Sequence, residues 1–413
     1  MSRFLRLPLP AALLLGLAAC QSNSSPSTSA NTAAGLAGKP ADPAAVPAVA
    51  SSPGASYAVY RGLIAGQADS LTLHLVTTAQ PHYDNPGPSS QGSYYGPDGH
   101  PYDIGSRPTT PDSLVLVDYS PEHGASPTSA PPVWRLKRLP GGRLAGLAGR
   151  QAVQLRPAPA PAGGLTFAVR TYADSLAAYP SREASPKARI FLQTLVPVGG
   201  PPALAVGMRR TERGDTTDAQ TPPPLAAIYQ AQRDTLFADY RADIRALAGE
   251  AASPDEQPSA MLNYDSQANT HVLFQRGDLL SLAYFAYDYA GGAHGMNTTR
   301  VASFDLRTGR CLRYDDIFRP EAARQLPALL AAAVRPLVGL QPGEPLDKEL
   351  FVKAMPVTHN VFLTTGGVEF VYQPYDIASY AQGEVRVFLP LGQVRALLQP
   401  GLPLPEATGV AAR

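Results

Sequence analysis

Cysteine is almost absent from this 413-residue sequence, which has only Cys20 and Cys311. A disulfide framework and a cysteine-based zinc site are both excluded on that count. Charged residues are also scarce, at 16%, and sum to a net charge of +1. So small a balance gives no expectation of long-range attraction to nucleic acid or to an anionic membrane surface. The usual catalytic signatures are missing as well. No two of the seven histidines stand three or four apart on an expected helix, so the zinc-protease spacing does not occur. There is no G-x-S-x-G elbow, no phosphate loop with its lysine and no dinucleotide fingerprint. No cofactor or metal is expected. Catalysis by Ser, His and Asp brought together from distant positions stays open, but no motif points to it.

What is present begins at the N-terminus. Arg3 and Arg6 accompany an apolar stretch that runs to Leu17, too short to cross a bilayer stably and interrupted by Pro8 and Pro10. It ends in Leu17-Ala18-Ala19-Cys20, the spacing of a lipoprotein signal peptide whose cysteine receives the lipid. Residues 1–20 are therefore expected to be the signal and Cys20 the lipidation site. The acyl chains would hold the protein to a membrane outside the cytoplasm. No Asp follows Cys20 directly and no acidic run comes after it, which favours an outer-membrane anchor facing the periplasm. Residues 21–55 are mostly Ser, Thr, Ala, Asn, Gly and Pro, a composition that suits a tether.

With 43 Pro and 36 Gly, the remainder reads as ordered modules joined by extended connections. The expected fold class is α+β. An N-terminal antiparallel β domain over 56–170 precedes an α+β region whose helices pack on an antiparallel sheet. In the β domain, 70–76 alternates apolar and polar residues, 113–117 and 165–169 are further strands, and Gly96-Pro97-Asp98-Gly99 is a turn. A second module over 185–250 holds a strand at 188–197 and a helix at 222–248, with Leu225, Tyr229, Leu236, Tyr240, Ile244 and Leu247 on one stripe. The third module, 260–400, has two hairpins, turning at Arg276-Gly277-Asp278 and at 307–310. A helix at 320–338 follows, then a shorter one around 346–355, strands at 361–363, 368–373 and 384–389, and a closing helix at 391–398. Asp315 and Asp316 are expected to cap the helix that starts at Pro320, and Cys311 to be a partly buried strand thiol.

One constellation stands out: Tyr287-Asp288-Tyr289-Ala290-Gly291-Gly292-Ala293-His294-Gly295, then Asn297. Its glycines let the backbone bend sharply and approach other groups closely. It suits an exposed binding loop at a strand end. It equally suits a tight structural crossing in which His294 ties the loop down by a backbone hydrogen bond. Acid–base chemistry by His294 with Asp288 is the third reading.

The same stretch carries a resemblance. Residues 289–295, then Phe304-Asp-Leu-Arg-Thr-Gly309, then Tyr314-Asp-Asp-Ile-Phe318, occur in a characteristic order. Residues 364–370, 374–383 and Val387-Phe-Leu-Pro390 continue it. This resembles the C-terminal domain of unknown function shared by RsiV-type anti-sigma factors and PdaC-type peptidoglycan deacetylases. Residues 188–248 are similar to the companion module that precedes it. The resemblance implies a second candidate binding loop at Pro374, Tyr375 and Tyr380, and in the RsiV type the paired modules bind lysozyme. The chain has no sigma-binding segment and no deacetylase domain, so neither signalling nor deacetylation is implied. What remains is an envelope protein that binds a lysozyme-like enzyme or peptidoglycan, with a His294 hydrolase or a structural scaffold as alternatives.

Overall fold

The computed structural model describes residues 50–405 apart from 68–69, 80–87, 107–109, 111, 124–129, 160–164, 215–220 and 251–258. The expected signal segment, Cys20 and nearly all of the expected tether lie outside the described residues.

Eight strands close into an antiparallel barrel: β1 (Ser56–Ile64), β2 (Leu71–Thr78), β3 (Ser89–Tyr95), β4 (Pro101–Ser106), β5 (Ser113–Asp118), β6 (Val133–Arg138), β7 (Leu144–Ala148) and β8 (Gln151–Ala158), which returns to β1. The period-2 pattern explains it. In β6, Trp134 and Leu136 are buried while Arg135 and Lys137 are exposed, so one side of the strand feeds the interior. That interior is packed by Leu73, Leu114, Leu116, Trp134 and Leu155. It is a core, each leucine contributing about 2 kcal/mol.

Leu165–Val169, expected within this β domain, instead opens β9 (Thr166–Ala177) of a second sheet. Twelve residue pairs tie β9 to β10 (Lys187–Val198), and this pairing sets its destination more strongly than its nearness to β8 in the chain. Ser51 and Ser52, read as the end of the tether, are docked there too: Val169 and Thr171 donate their backbone N–H to the two serine hydroxyls.

The second sheet has the order β14-β13-β12-β11-β10-β9, with β11 (Tyr264–Arg276), β12 (Leu279–Ala290), β13 (Met296–Asp305) and β14 (Arg310–Leu312). All its pairs are antiparallel except β10 with β11, which is parallel. The sheet therefore unites strands from the second and third expected modules. Two helices make the crossover. α1 (Pro202–Arg213), absent from the sequence expectations, buries Leu204 and Met208 and ends at Gly214, whose left-handed φ of 75° glycine adopts without strain. α2 (Leu225–Glu250) buries Tyr229 and Tyr240 of the expected stripe, together with Phe237, which the stripe did not include, against Ala188, Ile190 and Leu192.

The third sheet, β15 (Val361–Leu363), β16 (Gly367–Tyr372) and β17 (Val385–Pro390), is antiparallel throughout. One face carries Val368, Phe370, Val387 and Leu389 against Leu326, Leu330 and Val334 of α4 (Ala322–Leu337). On the other, Phe362 and Val371 pack on Leu273 and Ala283 of the second sheet.

Three local expectations are corrected. The helix around 346–355 is only a 3₁₀ turn at Leu346–Lys348. Asp316 caps the short α3 (Tyr314–Ile317), accepting the Arg313 N–H, and does not cap α4. The closing helix divides into α5 (Leu391–Val394) and a 3₁₀ turn at Arg395–Leu397. Cys311 is half-buried on β14 and forms no disulfide.

Candidate functional site

The β12–β13 turn is the glycine loop singled out in the sequence. Gly291 (φ 80°) and Gly292 (φ 93°) take left-handed conformations that reverse the chain. Gly295 lies on the Tyr287 ring so closely that a Cβ there would sit 2.4 Å from a ring carbon. The Tyr289 hydroxyl donates to Gly292 O at 3.0 Å, and His294 Nδ1 is 2.9 Å from Gly295 O. A carbonyl can only accept, so Nδ1 carries the proton and a neutral His294 presents Nε2 as an acceptor.

The structure brings the second candidate loop to this one. The His294 ring stacks on Tyr380, centroids 4.0 Å apart and planes at 17°. Tyr380 in turn stacks on Tyr375 at 6.0 Å and 29°. Among the described residues Tyr375 is the one non-glycine with positive φ, 73°, and its side chain is 51% exposed. The loop is held in that shape from within: Tyr375 N–H donates to Ala378 O, and Gln373 N–H to Asp376 Oδ2. Gln373 then staples the two loops, exchanging bonds of 2.8 and 2.7 Å with the Thr299 backbone on β13. The result is a three-ring stack that leaves the outer face of Tyr375 to solvent.

Other expected residues serve this stack only indirectly. Pro374 is buried and Asn297 is half-buried opposite Tyr287 in the β12–β13 register. Asp288 accepts the Ser266 hydroxyl at 2.6 Å, and no hydrogen bond or ion pair joins it to His294. The acid–base pairing considered for these two therefore has no geometry behind it.

Sequence reasoning missed a second, buried cluster where the barrel and the other two sheets meet. Asp103 of β4 lies 2.7 Å from Arg386 of β17 and 3.5 Å from His271 of β11. Arg386 also donates to Glu384 Oε1 at 2.6 Å. Glu369 of β16 shares this space, 2% exposed, with its Oε2 lacking a hydrogen-bond partner. Burial raises the Asp103 carboxyl, but Arg386 and His271 outweigh burial and hold it at about 2. Burial pushes Glu369 up to about 8, with Arg386 opposing only in part. Glu369 thus favours its protonated form at neutral pH, which leaves Arg386 to pair with Asp103 and Glu384. These residues lie far apart in the chain and form no motif, so nothing local announces them.

Nearby, His100 stacks on Phe388 of β17 at 4.1 Å, another bridge from barrel to third sheet. His123 Nδ1 sits 2.8 Å from Asp118, a hydrogen bond that raises its pKa. Among the described residues no three His, Cys, Asp or Glu side chains converge as a metal site. No described helix is long and apolar enough to span a membrane.

Comparison with known proteins bears on the C-terminal part. No curated protein matches the chain. Among solved structures, a member of the DUF3298 family from Bacteroides fragilis is 23% identical, with 57% of this chain and 94% of that one covered and a TM-score of 0.49. A DUF3298 family protein from Pseudomonas aeruginosa is 22% identical, with 58% and 97% covered and a TM-score of 0.42. Residues 315–392, which include Glu369, Tyr375, Tyr380 and Arg386 but not His294, match the DUF3298 domain, described as a protein of unknown function.

Proposed function

We propose that the chain is a non-enzymatic binding protein of the cell envelope, lipid-anchored at Cys20, that takes its ligand on the Tyr375–Tyr380–His294 stack. The observation that carries this is Tyr375. A tyrosine at φ 73° costs on the order of 1–3 kcal/mol, and such strain clusters where a surface is pre-organised for a ligand. Here the strain holds an aromatic ring outward and half exposed, where it adds nothing to the core. Tyr380 and His294 back it, so its free face stays oriented without further ordering.

Of the two ligands the resemblance implies, a lysozyme-like enzyme and peptidoglycan, the ring favours the second. The apolar face of a sugar can stack on Tyr375 while its hydroxyls donate to His294 Nε2. The outer-membrane, periplasm-facing location remains part of the proposal.

The test is co-sedimentation of the chain carrying Cys20→Ser with insoluble peptidoglycan, alongside a lysozyme pull-down. Retention on peptidoglycan that Tyr375→Ala abolishes is the expected result. Retention that survives Tyr375→Ala, or no retention on either ligand, would overturn the reading. A hydrolase would instead release soluble fragments and stop doing so in His294→Ala; no release is expected from either form.

A further inference from the structure

The barrel has a surface whose charge the overall balance conceals. Between residues 133 and 158 the sequence holds six basic residues and no acidic one. Strand alternation sorts them. Trp134, Leu136, Leu144, Val153 and Leu155 fill the barrel, so the intervening positions of β6, β7, β8 and β1 face out. Arg135 and Lys137 of β6, Arg156 of β8 and Arg61 of β1 are all exposed there. Four strands about 4.8 Å apart spread these charges over roughly 15 Å.

Two further observations make this surface more than a solvated face. Arg61 stands directly opposite Arg156 across the β1–β8 pair. Like charges in that position are destabilising, and none of the four cations forms an ion pair with a described residue. The barrel therefore sets two like charges side by side, where one external anion can bridge them. Interleaved with the cations are two exposed leucines, Leu63 (51%) and Leu147 (47%). Leu147 faces Arg135 and Leu63 faces Gln154 in the register.

We infer that the β6–β7–β8–β1 face of the barrel docks on an anionic phospholipid surface. Headgroup phosphates neutralise Arg61, Arg135, Lys137 and Arg156, and Leu63 and Leu147 enter the interface below them. A nucleic acid fits less well, because no aromatic ring stands among these side chains for bases to stack on, and it would leave both leucines exposed. The inference is independent of the Tyr375 stack and does not require the lipid on Cys20. An anchor there would only bring the face near its surface.

The experiment is vesicle co-sedimentation of the full chain carrying Cys20→Ser, so that no acyl chain contributes. Vesicles of phosphatidylcholine alone are compared with vesicles in which a third is phosphatidylglycerol, at low and high salt. Phosphatidylglycerol should raise the bound fraction at least about tenfold at low salt, and high salt should reverse it. The variant with Arg61→Gln, Arg135→Gln, Lys137→Gln and Arg156→Gln should bind both vesicles alike. A companion with Arg61→Lys, Arg135→Lys and Arg156→Lys keeps the charge and should retain most of the preference, which separates charge loss from misfolding. Equal binding of the starting chain to both vesicles would overturn the inference. So would an undiminished preference in the neutralised variant, loss in the lysine variant as large as in the glutamine one, or binding to a free oligonucleotide but not to vesicles.

Discussion

Replacing Glu369 by Gln tests the buried cluster most directly, because it removes one titration and little else. In the unfolded chain this carboxyl ionises near 4.5, and in the fold near 8. Between those values folding takes up a proton. Its contribution to stability is thus fully present below about 4.5, declines as pH rises and is gone above about 8. At ~1.4 kcal/mol per pH unit the whole span amounts to roughly 5 kcal/mol, a large share of the ~5–15 kcal/mol that holds a typical domain. Gln keeps the shape of the protonated acid and cannot ionise. Urea titrations of both proteins, followed by backbone circular dichroism and by the fluorescence of Trp134, the one tryptophan, 2% exposed, give the comparison. From pH 5.5 to 7.5 the stability difference should shift in favour of the variant by about 3 kcal/mol, and Glu369→Gln should be the more stable protein at pH 8.5. A difference that stays constant across this range would show that Glu369 is ionised in the fold and that the reasoning is wrong.

Four further outcomes follow from the same geometry. Arg386→Met leaves the half-buried Asp103 and Glu384 with no guanidinium and should cost about 1–3 kcal/mol in urea unfolding. Tyr375→Gly relieves the positive φ, so thermal unfolding should occur at an equal or higher temperature while peptidoglycan retention is lost. Gly366→Ala would place its Cβ against the Asp98 carbonyl oxygen and should cost about 3 kcal/mol, whereas Gly392→Ala, with open space around it, should change stability by less than about 1 kcal/mol. Asp103 acts in the opposite sense to Glu369, its carboxyl being held at about 2 against an ordinary 3.8. Its contribution is present above 3.8 and lost as pH falls toward 2, so acid unfolding should begin at higher pH in Asp103→Asn.

Where a signal was local, the sequence could be read correctly. Gly277 and Gly309 mark the hairpin turns, and the stripe through Tyr229, Leu236 and Tyr240 marks α2. The aromatic stack was half readable. His294 and Tyr380 were both singled out, but their contact depends on the Gln373–Thr299 staple between loops far apart in the chain. In β6 the alternation of Trp134 and Leu136 with Arg135 and Lys137 is clean but short, and its Pro- and Gly-rich surroundings mask it. α1 was hidden by Gly207 and the prolines at its start, and it is stabilised by Phe304 and Leu282 from elsewhere in the chain. The destination of β9 and the cluster around Asp103 depend on long-range register, which no window of sequence contains. Net charge misled in a different way, since a sum of +1 says nothing about which side of a barrel the charges occupy.

The one parallel pair among the described strands, β10 with β11, has a consequence for how the chain comes into being. A polypeptide emerging from its N-terminus completes the barrel, β9 and β10 while β11 is still unmade. The next partner of β10 begins only at Tyr264, beyond α1 and α2. Until then β10 presents an unsatisfied edge rich in Ile190, Leu192 and Leu195, the kind of edge that recruits a strand from another molecule. α2, folding locally, packs Tyr229 and Tyr240 over Ile190 and Leu192 and can shield one face of that strand before its neighbour arrives.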